Sequence, residues 1–282
     1  MTSPTPTDPV SGATVLVTGA ARGMGELYAR RAAAEGAAAL ALWDVDEPAL
    51  AALAAALERP GLTIATIAAD ISRLDGVRAG MARTVAEVGS PDILINNAGV
   101  VRGAPFWEHT AERDIEGTMR VNTLAPMWLT REVLPAMMAD TARPKRILNV
   151  ASAAGTLANP NMSVYAASKW AMIGWSESLR LELVRGGARH VAVTTFCPSY
   201  VSTGMFAGAR GPLLTPIMTP GRAVDAAWRG MRAGRAVVMK PWTVKLAMAL
   251  RGVLPTRAWD LIADRVFHVY SSMDRFTGRP GR

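Results

Sequence analysis

The sequence predicts an α/β protein whose doubly wound, mostly parallel sheet is covered by helices on both faces. Short apolar segments alternate with helical segments over residues 13–198, which is the pattern of repeated strand–helix–strand units. The apolar segments show little polar alternation, so we expect strands that are buried on both faces, as in parallel sheets. Small or polar residues follow these strands, where an open sheet of this kind binds its ligand.

The first predicted strand, residues 13–19 (ATVLVTG), leads through a glycine-rich turn into a helix that is closed by Gly36. The turn reads TGAARGMG, with glycines at Gly19, Gly23 and Gly25. Bare backbone in such a turn allows a pyrophosphate to approach closely, and the N-terminus of the helix faces its charge. Strand, turn and helix together therefore predict a dinucleotide site.

The second predicted strand ends at Asp44, 19 residues beyond Gly25. An acidic residue at this point accepts hydrogen bonds from the ribose hydroxyls and repels a 2′-phosphate, which favours NAD. Arg22 has the opposite preference, because a guanidinium inside the turn would attract that phosphate, and so NADP is the alternative cofactor. The other interpretation of Asp44 is a cap on the following helix.

The third predicted strand, residues 62–70, ends at Asp70. Ser72 and Asp75 have the spacing of a capping box for a helix that runs through Val88. The helix would return the chain to the sheet for the next strand.

The fourth predicted strand, residues 91–99, runs into Asn-Asn-Ala-Gly, where small residues would let the backbone lie close to a ligand. The other interpretation is a simple turn after a strand. A long helix is then expected from 110 to 135, and it carries Asn122 among apolar neighbours. A buried amide needs hydrogen-bond partners, in either a structural or a catalytic role.

The fifth predicted strand, residues 145–152, ends at Ser152, and the helix that follows carries Tyr165 and Lys169 through about residue 185. Residues four apart lie on one helix face, so the phenol of Tyr165 and the ammonium of Lys169 can lie close together and contact the same bound atom. The pKa of a phenol is about 10, and a neighbouring ammonium favours the phenolate. With the Ser152 hydroxyl holding a carbonyl or alcohol oxygen, this set predicts proton transfer at a C–O bond.

After a further strand at 190–198, the motifs together resemble the short-chain dehydrogenase/reductase family, with its Rossmann-like fold, over residues 10–240. The resemblance rests on TGAARGMG, Asp44, Asp70, the NNAG of residues 96–99, Asn122, Ser152, Tyr165-x-x-x-Lys169 and the segment from Pro198 to Thr203. It implies that Tyr165 is the general acid/base, that Lys169 lowers the pKa of Tyr165 and holds the nicotinamide ribose, and that Ser152 orients the substrate oxygen.

The same resemblance implies that Asn122 positions a proton-relay water and that Thr203 contacts the nicotinamide carboxamide. One departure is Ser199, which stands where the family usually has glycine and puts the nicotinamide pocket in question. The expected cofactor contacts are Gly19, Arg22, Gly23, Met24, Gly25, Asp44, Asp70, Ile71, Asn97, Ala98, Gly99, Tyr165, Lys169, Pro198, Val201 and Thr203.

Past residue 195 the chain is similar to the branch that holds retinol dehydrogenases and 17-beta-hydroxysteroid dehydrogenases. The resemblance implies an NAD-dependent oxidoreductase of a hydrophobic secondary or allylic alcohol or its carbonyl. The alternative enzyme is a reductase of acyl-carrier or polyketide 3-oxo groups with NADPH, which Arg22 supports and Asp44 opposes. A non-catalytic dinucleotide-sensing module is the remaining alternative, but it has no need of the complete Ser, Tyr and Lys set.

The amino-acid composition and the distribution of charge indicate which ligands and macromolecular partners to expect. The single cysteine, Cys197, lies in an apolar run, which predicts a buried structural thiol in a reducing compartment. The three histidines have no metal-ligand spacing, so no metal site is predicted. Residues 240–282 contain eight basic and three acidic residues and so hold +5 of the net charge of +8. The basicity therefore belongs mainly to the tail, and we expect no nucleic-acid partner.

The predicted organisation is a disordered lead at 1–11, a catalytic domain at 12–240 and a helical extension at 241–282 that packs on it. The two helices of the extension would each use an apolar stripe to pack on the body, to cover the substrate mouth, or to touch an anionic membrane surface. We expect the stripes to meet the body near the 199–220 loop, where they would form walls around a lipophilic substrate. The stripes are Trp242, Leu246, Leu250 and Val253, and then Trp259, Ile262, Val266 and Val269, with Thr256 as the cap of the second helix. No stretch is long and apolar enough to span a membrane, so we expect a cytoplasmic protein with peripheral membrane contact as the alternative.

The helices that carry Asn122 and Tyr165 have apolar residues beyond those that one sheet-facing side needs. Such residues predict a subunit interface. The family resemblance implies a homodimer or homotetramer formed through these two helices.

Overall fold

Buried strands form one seven-stranded parallel sheet in the computed structural model, which describes residues 8–213 and 215–278. The strands are β1 Thr14–Thr18, β2 Ala39–Asp44, β3 Thr63–Ala68, β4 Ile93–Asn96, β5 Lys145–Val150, β6 Val191–Pro198 and β7 Val237–Lys240. Their order in the sheet is β3-β2-β1-β4-β5-β6-β7. The order reverses between β1 and β4, and such a switch point opens a crevice at the carboxyl ends of the strands.

Helices cover both faces of the sheet, as the doubly wound prediction requires. They are α1 Gly23–Ala34, α2 Glu47–Leu57, α3 Leu74–Val88, α4 Gly117–Met119, α5 Ala125–Ala139, α6 Ser163–Arg185, α7 Pro220–Arg232, α8 Thr243–Val253 and α9 Thr256–Arg265. Tyr28 of α1, Leu50 of α2 and Trp228 of α7 are fully buried on one face. Leu129 of α5 and Leu179 of α6 pack in the core on the other. Cys197 is fully buried in β6, as expected.

Two capping predictions are wrong. Helix α3 begins at Leu74 after an extended Arg73, and no side chain caps it, because the amide of Ser72 instead donates to Asp70 Oδ1 at 2.9 Å. Helix α9 begins with Thr256 itself, after Pro255, so the threonine lies inside the first turn and cannot act as its cap.

The long helix expected at 110–135 is irregular in its first half and continues to Ala139. Two π-helical turns, Ala111–Glu116 and Arg120–Leu124, flank the short α4, and α5 follows without a break. Pro135 lies inside α5. Wide turns of this kind often mark functional positions in helices, and the second of them contains Asn122.

The end of the predicted disordered lead packs on the body. Val10 is fully buried in the core, and Arg143 donates to the carbonyl oxygens of Ser11 and Gly12 at 2.7 and 2.6 Å. Residues 1–7 lie outside the described part of the chain, as do residues 279–282 of the extension. The segment from residue 8 onward therefore differs from the expectation of disorder.

The predicted stripes match the packed faces of the two tail helices only in part. Leu250, Trp259 and Val269 pack in one apolar cluster as predicted, but other residues of the stripes are exposed. Trp242 and Val253 are 66% and 84% exposed, whereas Val244 is buried. In α9 the buried residues are Trp259 and Ala263, and Val266 is half exposed. Apolar residues occur all round α8, so periodicity alone could not select the face that packs.

Candidate active site

A cleft runs along the carboxyl ends of the central strands and encloses about 1390 Å³ including its open mouth. We call it the strand-end cleft. Every residue predicted to contact a cofactor lines it except Gly25. The sequence did not identify Trp43, Val45, Ala69, Val100, Val121, Val150, Ala151, Met205 and Phe206, which complete the wall. These are mostly apolar, and a single sequence carries no local signal that separates them from core residues.

The glycine turn is shaped for close approach of a ligand. Gly19 has φ of +65°, and a Cβ there would lie 2.9 Å from Ala98 Cα. A Cβ on Gly25 would overlap the carbonyl oxygen of Gly19, so Gly25 lets α1 begin directly against the turn. Gly23 and Met24, the first residues of this helix, line the cleft, and a helix N-terminus suits a pyrophosphate. The turn therefore fits the phosphates of a dinucleotide.

Asp44 holds the backbone at the end of β2, where it lines the strand-end cleft. Its Oδ2 accepts from Ala21 N at 3.1 Å and its Oδ1 from Val45 N at 2.8 Å. The alternative interpretation of Asp44 as a helix cap is wrong, because Asp46 caps α2 by accepting from Ala49 N. Arg22 is paired with Asp46, so its positive charge is already balanced beside Asp44.

Ser152, Tyr165 and Lys169 come together on the wall of the strand-end cleft. Ser152 Oγ accepts from Ala154 N at 3.1 Å, and its own hydrogen is donated to the Tyr165 hydroxyl in the protein alone. Lys169 Nζ donates to Val150 O at 2.9 Å and lies 5.7 Å from the centre of the Tyr165 ring. The turn of helix α6 between Tyr165 and Lys169 thus places a phenol and an ammonium at one point of the cleft.

Burial dominates the protonation of this pair. It raises the pKa of Tyr165 to about 12, although a hydrogen bond from Ser152 opposes the rise. Burial also lowers the pKa of Lys169 to about 8. The expected lowering of the Tyr165 pKa by Lys169 is therefore absent from the protein alone, where burial raises this pKa and the opposing contribution comes from Ser152.

Asn122 lies behind the cleft wall and does not line it. The amide is fully buried. Its Oδ1 accepts from Val100 N and its Nδ2 donates to Val100 O, both at 2.8 Å, and Nδ2 also donates to Ser168 Oγ at 3.1 Å. These contacts fix the loop after β4 against α6. They support a positioning role for the amide.

A second cleft, which we call the apolar cleft, opens from Ser152 and encloses about 870 Å³ including its mouth. Ser152, Ser199 and Phe206 line both clefts. The walls come from the loops after β5 and β6 and from the tail helices, and they include Leu157, Met162, Tyr200, Phe206, Leu213, Val244, Leu246, Ala247, Trp259, Phe267 and Val269. The sequence identified the 199–220 loop and the tail as candidate walls, but not Leu157 or Met162.

The chain matches the model of the family described as short chain dehydrogenase over residues 13–212. It is 32% identical to estradiol 17-beta-dehydrogenase 11 of Rattus norvegicus over 257 residues, which is 91% of this chain and 85% of that protein. It is 33% identical to epidermal retinol dehydrogenase 2 of Mus musculus over 275 residues, or 96% and 87% of the two chains.

Solved structures with bound dinucleotides have the same fold. A short-chain dehydrogenase/reductase from Burkholderia phymatum in complex with NAD superposes with a TM-score of 0.77 at 26% identity, covering 86% of this chain and 94% of that one. A short-chain dehydrogenase from Sphingobium yanoikuyae in complex with NADPH gives 0.71 at 30% identity, with coverages of 86% and 97%.

Proposed function

The chain belongs to the short chain dehydrogenase family, oxidoreductases that act on CH–OH groups with NAD or NADP, and we propose that its substrate is a hydrophobic alcohol or carbonyl compound. The observation that carries the proposal is the apolar cleft, which begins at Ser152 and is walled mainly by aliphatic and aromatic side chains. Apolar walls with a few polar groups at the reacting end are typical of sites for lipophilic ligands. The names of the relatives, a steroid and a retinol dehydrogenase, support the same substrate class.

We assign Tyr165 as the group that moves the proton. At neutral pH its phenol keeps its hydrogen, since its pKa lies near 12, and it can give that hydrogen to a carbonyl oxygen held by the Ser152 hydroxyl. Lys169, with a pKa of about 8, is mostly protonated at pH 7 and stabilises the phenolate that forms. A bound nicotinamide supplies the hydride in reduction and accepts it in oxidation.

The strand-end cleft would hold the dinucleotide. The glycine turn would take the pyrophosphate, Asp44 the adenosine ribose and Lys169 the nicotinamide ribose. Ser199, at the junction of the two clefts, would lie beside the nicotinamide in place of the usual glycine. We propose NAD as the preferred cofactor, because Asp44 faces the ribose and Arg22 is neutralised by Asp46.

The proposal is tested by a substitution on α8 that places a larger side chain in the apolar cleft. Ala247 lines the cleft and Ala249, on the same helix, is exposed and does not. Ala247→Trp should raise the KM for bulky ketones by at least tenfold more than for small ones, because added volume in a packed pocket excludes large ligands first. Ala249→Trp is the matched control and should leave both values unchanged.

Kinetics with NADH and NADPH over a panel of ketones of increasing chain length and ring number, and with an acetoacetyl thioester, would measure this. An unchanged ratio of bulky to small substrates in Ala247→Trp would show that the apolar cleft is not the substrate site. A preference for the thioester over every apolar ketone would instead favour a 3-oxoacyl reductase.

A further inference from the structure

Two threonines, which we call the threonine pair, lie in the wall of the apolar cleft where two separate elements meet. Thr215 belongs to the loop after β6, and Thr243 is the first residue of α8. Their hydroxyl oxygens are 3.0 Å apart, so one hydroxyl donates its hydrogen to the other. Both residues are half-buried, and both line the apolar cleft. The pair therefore forms a polar spot in a wall that is otherwise mainly aliphatic and aromatic.

The threonine pair lies beyond the junction of the two clefts. Ser152, Ser199 and Phe206 line both clefts and so mark the junction. Neither threonine lines the strand-end cleft, and the same is true of Val244, which follows Thr243 in α8. A substrate whose carbonyl lies at Ser152, and whose apolar body fills the apolar cleft, can therefore reach the pair with another part of its structure.

The hydrogen bonds of the threonine pair leave it able to bind a further group. A hydroxyl carries one hydrogen and can accept two hydrogen bonds. Within residues 8–213 and 215–278, the bond between the two threonines is the one side-chain hydrogen bond that either of them forms. One of the two hydrogens therefore has no protein partner, and acceptor capacity remains on both oxygens. The pair can donate one hydrogen bond to a ligand and accept another from it.

The other polar side chains of the described wall beyond the junction already use their hydrogens. The Asn159 amide donates to Ser272 Oγ at 3.0 Å and to Tyr200 Oη at 3.2 Å. Tyr200 donates to Ser272 Oγ at 2.9 Å, because Ser272 gives its own hydrogen to a backbone carbonyl. The Trp259 indole donates to the Tyr270 hydroxyl. The threonine pair is therefore the side-chain donor that a ligand can use in this part of the cleft, among the residues that the structure describes.

We propose that the threonine pair is a second polar subsite of the apolar cleft, which binds a hydroxyl that the substrate carries away from its reacting carbon. A ligand hydroxyl matches the pair because it accepts the spare hydrogen and donates its own to a threonine oxygen. A few polar groups in an apolar site fix the orientation and the identity of its ligand. The substrate class is then a lipophilic carbonyl compound or alcohol with a hydroxyl at the far end of its apolar body. This inference rests on the proposed function.

The test uses long-chain methyl ketones of increasing length and, for each of them, the analogue with a hydroxyl on the last carbon. The measured quantity is the ratio of kcat/KM for the hydroxy ketone to kcat/KM for its parent. In the wild type this ratio should pass through a maximum at the length that brings the hydroxyl to the threonine pair. The double variant Thr215→Val, Thr243→Val removes both hydroxyls with little change of shape. It should lower the ratio at that length by roughly 2- to 10-fold, which corresponds to one neutral hydrogen bond.

Two further variants control for packing. The double variant Thr215→Ser, Thr243→Ser retains both hydroxyls and should keep the wild-type maximum. Thr256→Val is the matched control, because this threonine of α9 is exposed and lines neither cleft. It should leave the ratio unchanged at every length. Circular dichroism and thermal unfolding would establish that each variant is folded.

The same ratio in the double valine variant and in the wild type, at every chain length, would overturn the inference. If no ketone is reduced at all, the proposed function fails. The Kd values of each hydroxy ketone and its parent, from isothermal titration calorimetry, then decide the inference separately. Selective weakening of the hydroxy ketone in the double valine variant would support it, whereas equal weakening of both compounds, or no binding of any hydroxy ketone, would overturn it.

Discussion

The carboxylate at the end of β2 is expected to decide which dinucleotide binds, and Asp44→Asn removes its charge with little other change. Asp44 accepts hydrogen bonds from Ala21 N and Val45 N through different oxygens. Asparagine keeps one of these acceptors, whereas alanine would lose both and loosen the glycine turn as well. The asparagine variant therefore separates charge from backbone support.

The size of the effect follows from Coulomb's law. Two unit charges about 4 Å apart interact by about 1 kcal/mol in water and about 4 kcal/mol at an effective dielectric constant of about 20. Asp44 is half-buried at the edge of an open cleft, so the repulsion of a 2′-phosphate should fall between these limits. Arg22 offsets little of it, because it is paired with Asp46. A preference for NADH of about 1–3 kcal/mol corresponds to roughly 5- to 150-fold in Kd.

Fluorescence titration of NADH and NADPH would measure both Kd values in the wild type and in two variants. Asp44→Asn should bring their ratio close to one. Asp46→Ser should also improve NADPH binding, since it frees Arg22 while a serine keeps the cap of α2. Equal Kd values in the wild type, or an unchanged ratio in Asp44→Asn, would refute the assignment of the preference to this carboxylate.

Four further outcomes are expected. Tyr165→Phe should lose roughly 10²–10⁴-fold in kcat and keep its Kd for NADH; substantial remaining turnover would exclude Tyr165 from proton transfer. Burial lowers the pKa of Lys169 from 10.5 to about 8, so the unfolded chain binds more protons between these values and stability rises with pH there. The inactive Lys169→Met should therefore gain stability over the wild type below pH 8, and urea unfolding should show that gain shrinking toward pH 10.5. Light scattering at micromolar concentration should give a dimer or tetramer, which a charge at the exposed Leu181 of α6 should weaken; a monomeric wild type would contradict this. The exposed Trp242 and Val253 lie on the basic tail, so flotation should show binding to anionic vesicles that Trp242→Asp reduces, and equal flotation with neutral vesicles would count against an electrostatic contribution.

Much of the fold could be predicted because its signals are local. An apolar run that ends in glycine or aspartate predicts a strand and the point where the chain leaves the sheet. The structure confirms this for β1, which ends just before Gly19, and for β2, which ends at Asp44. The helix spacing of Tyr165 and Lys169 likewise needs only the period of an α-helix. The placement of these residues around one cleft follows from the parallel order of the strands.

What the sequence could not supply depends on partners far along the chain. The pKa of Tyr165 is set by its burial. The hydrogen-bond partners of Asn122 are Val100, in the loop after β4, and Ser168, in α6. Residues 267–278 form neither helix nor strand, so their apolar residues follow no regular spacing. Phe276 nevertheless packs in the cluster that contains Tyr165. The sequence also could not show which face of α8 packs on the body, because α8 has apolar residues on all of its sides.

The protonation of the buried pair gives the site a preferred starting state. With pKa values of about 12 and about 8, Tyr165 is neutral and Lys169 mostly charged at pH 7. A neutral phenol has a proton to give and is ready for carbonyl reduction, whereas alcohol oxidation first requires that this proton leave. Deprotonation becomes easier as the pH rises, so oxidation should gain over reduction toward alkaline pH. Because burial sets both pKa values, the packing around Tyr165 and Lys169 would itself favour carbonyl reduction at neutral pH.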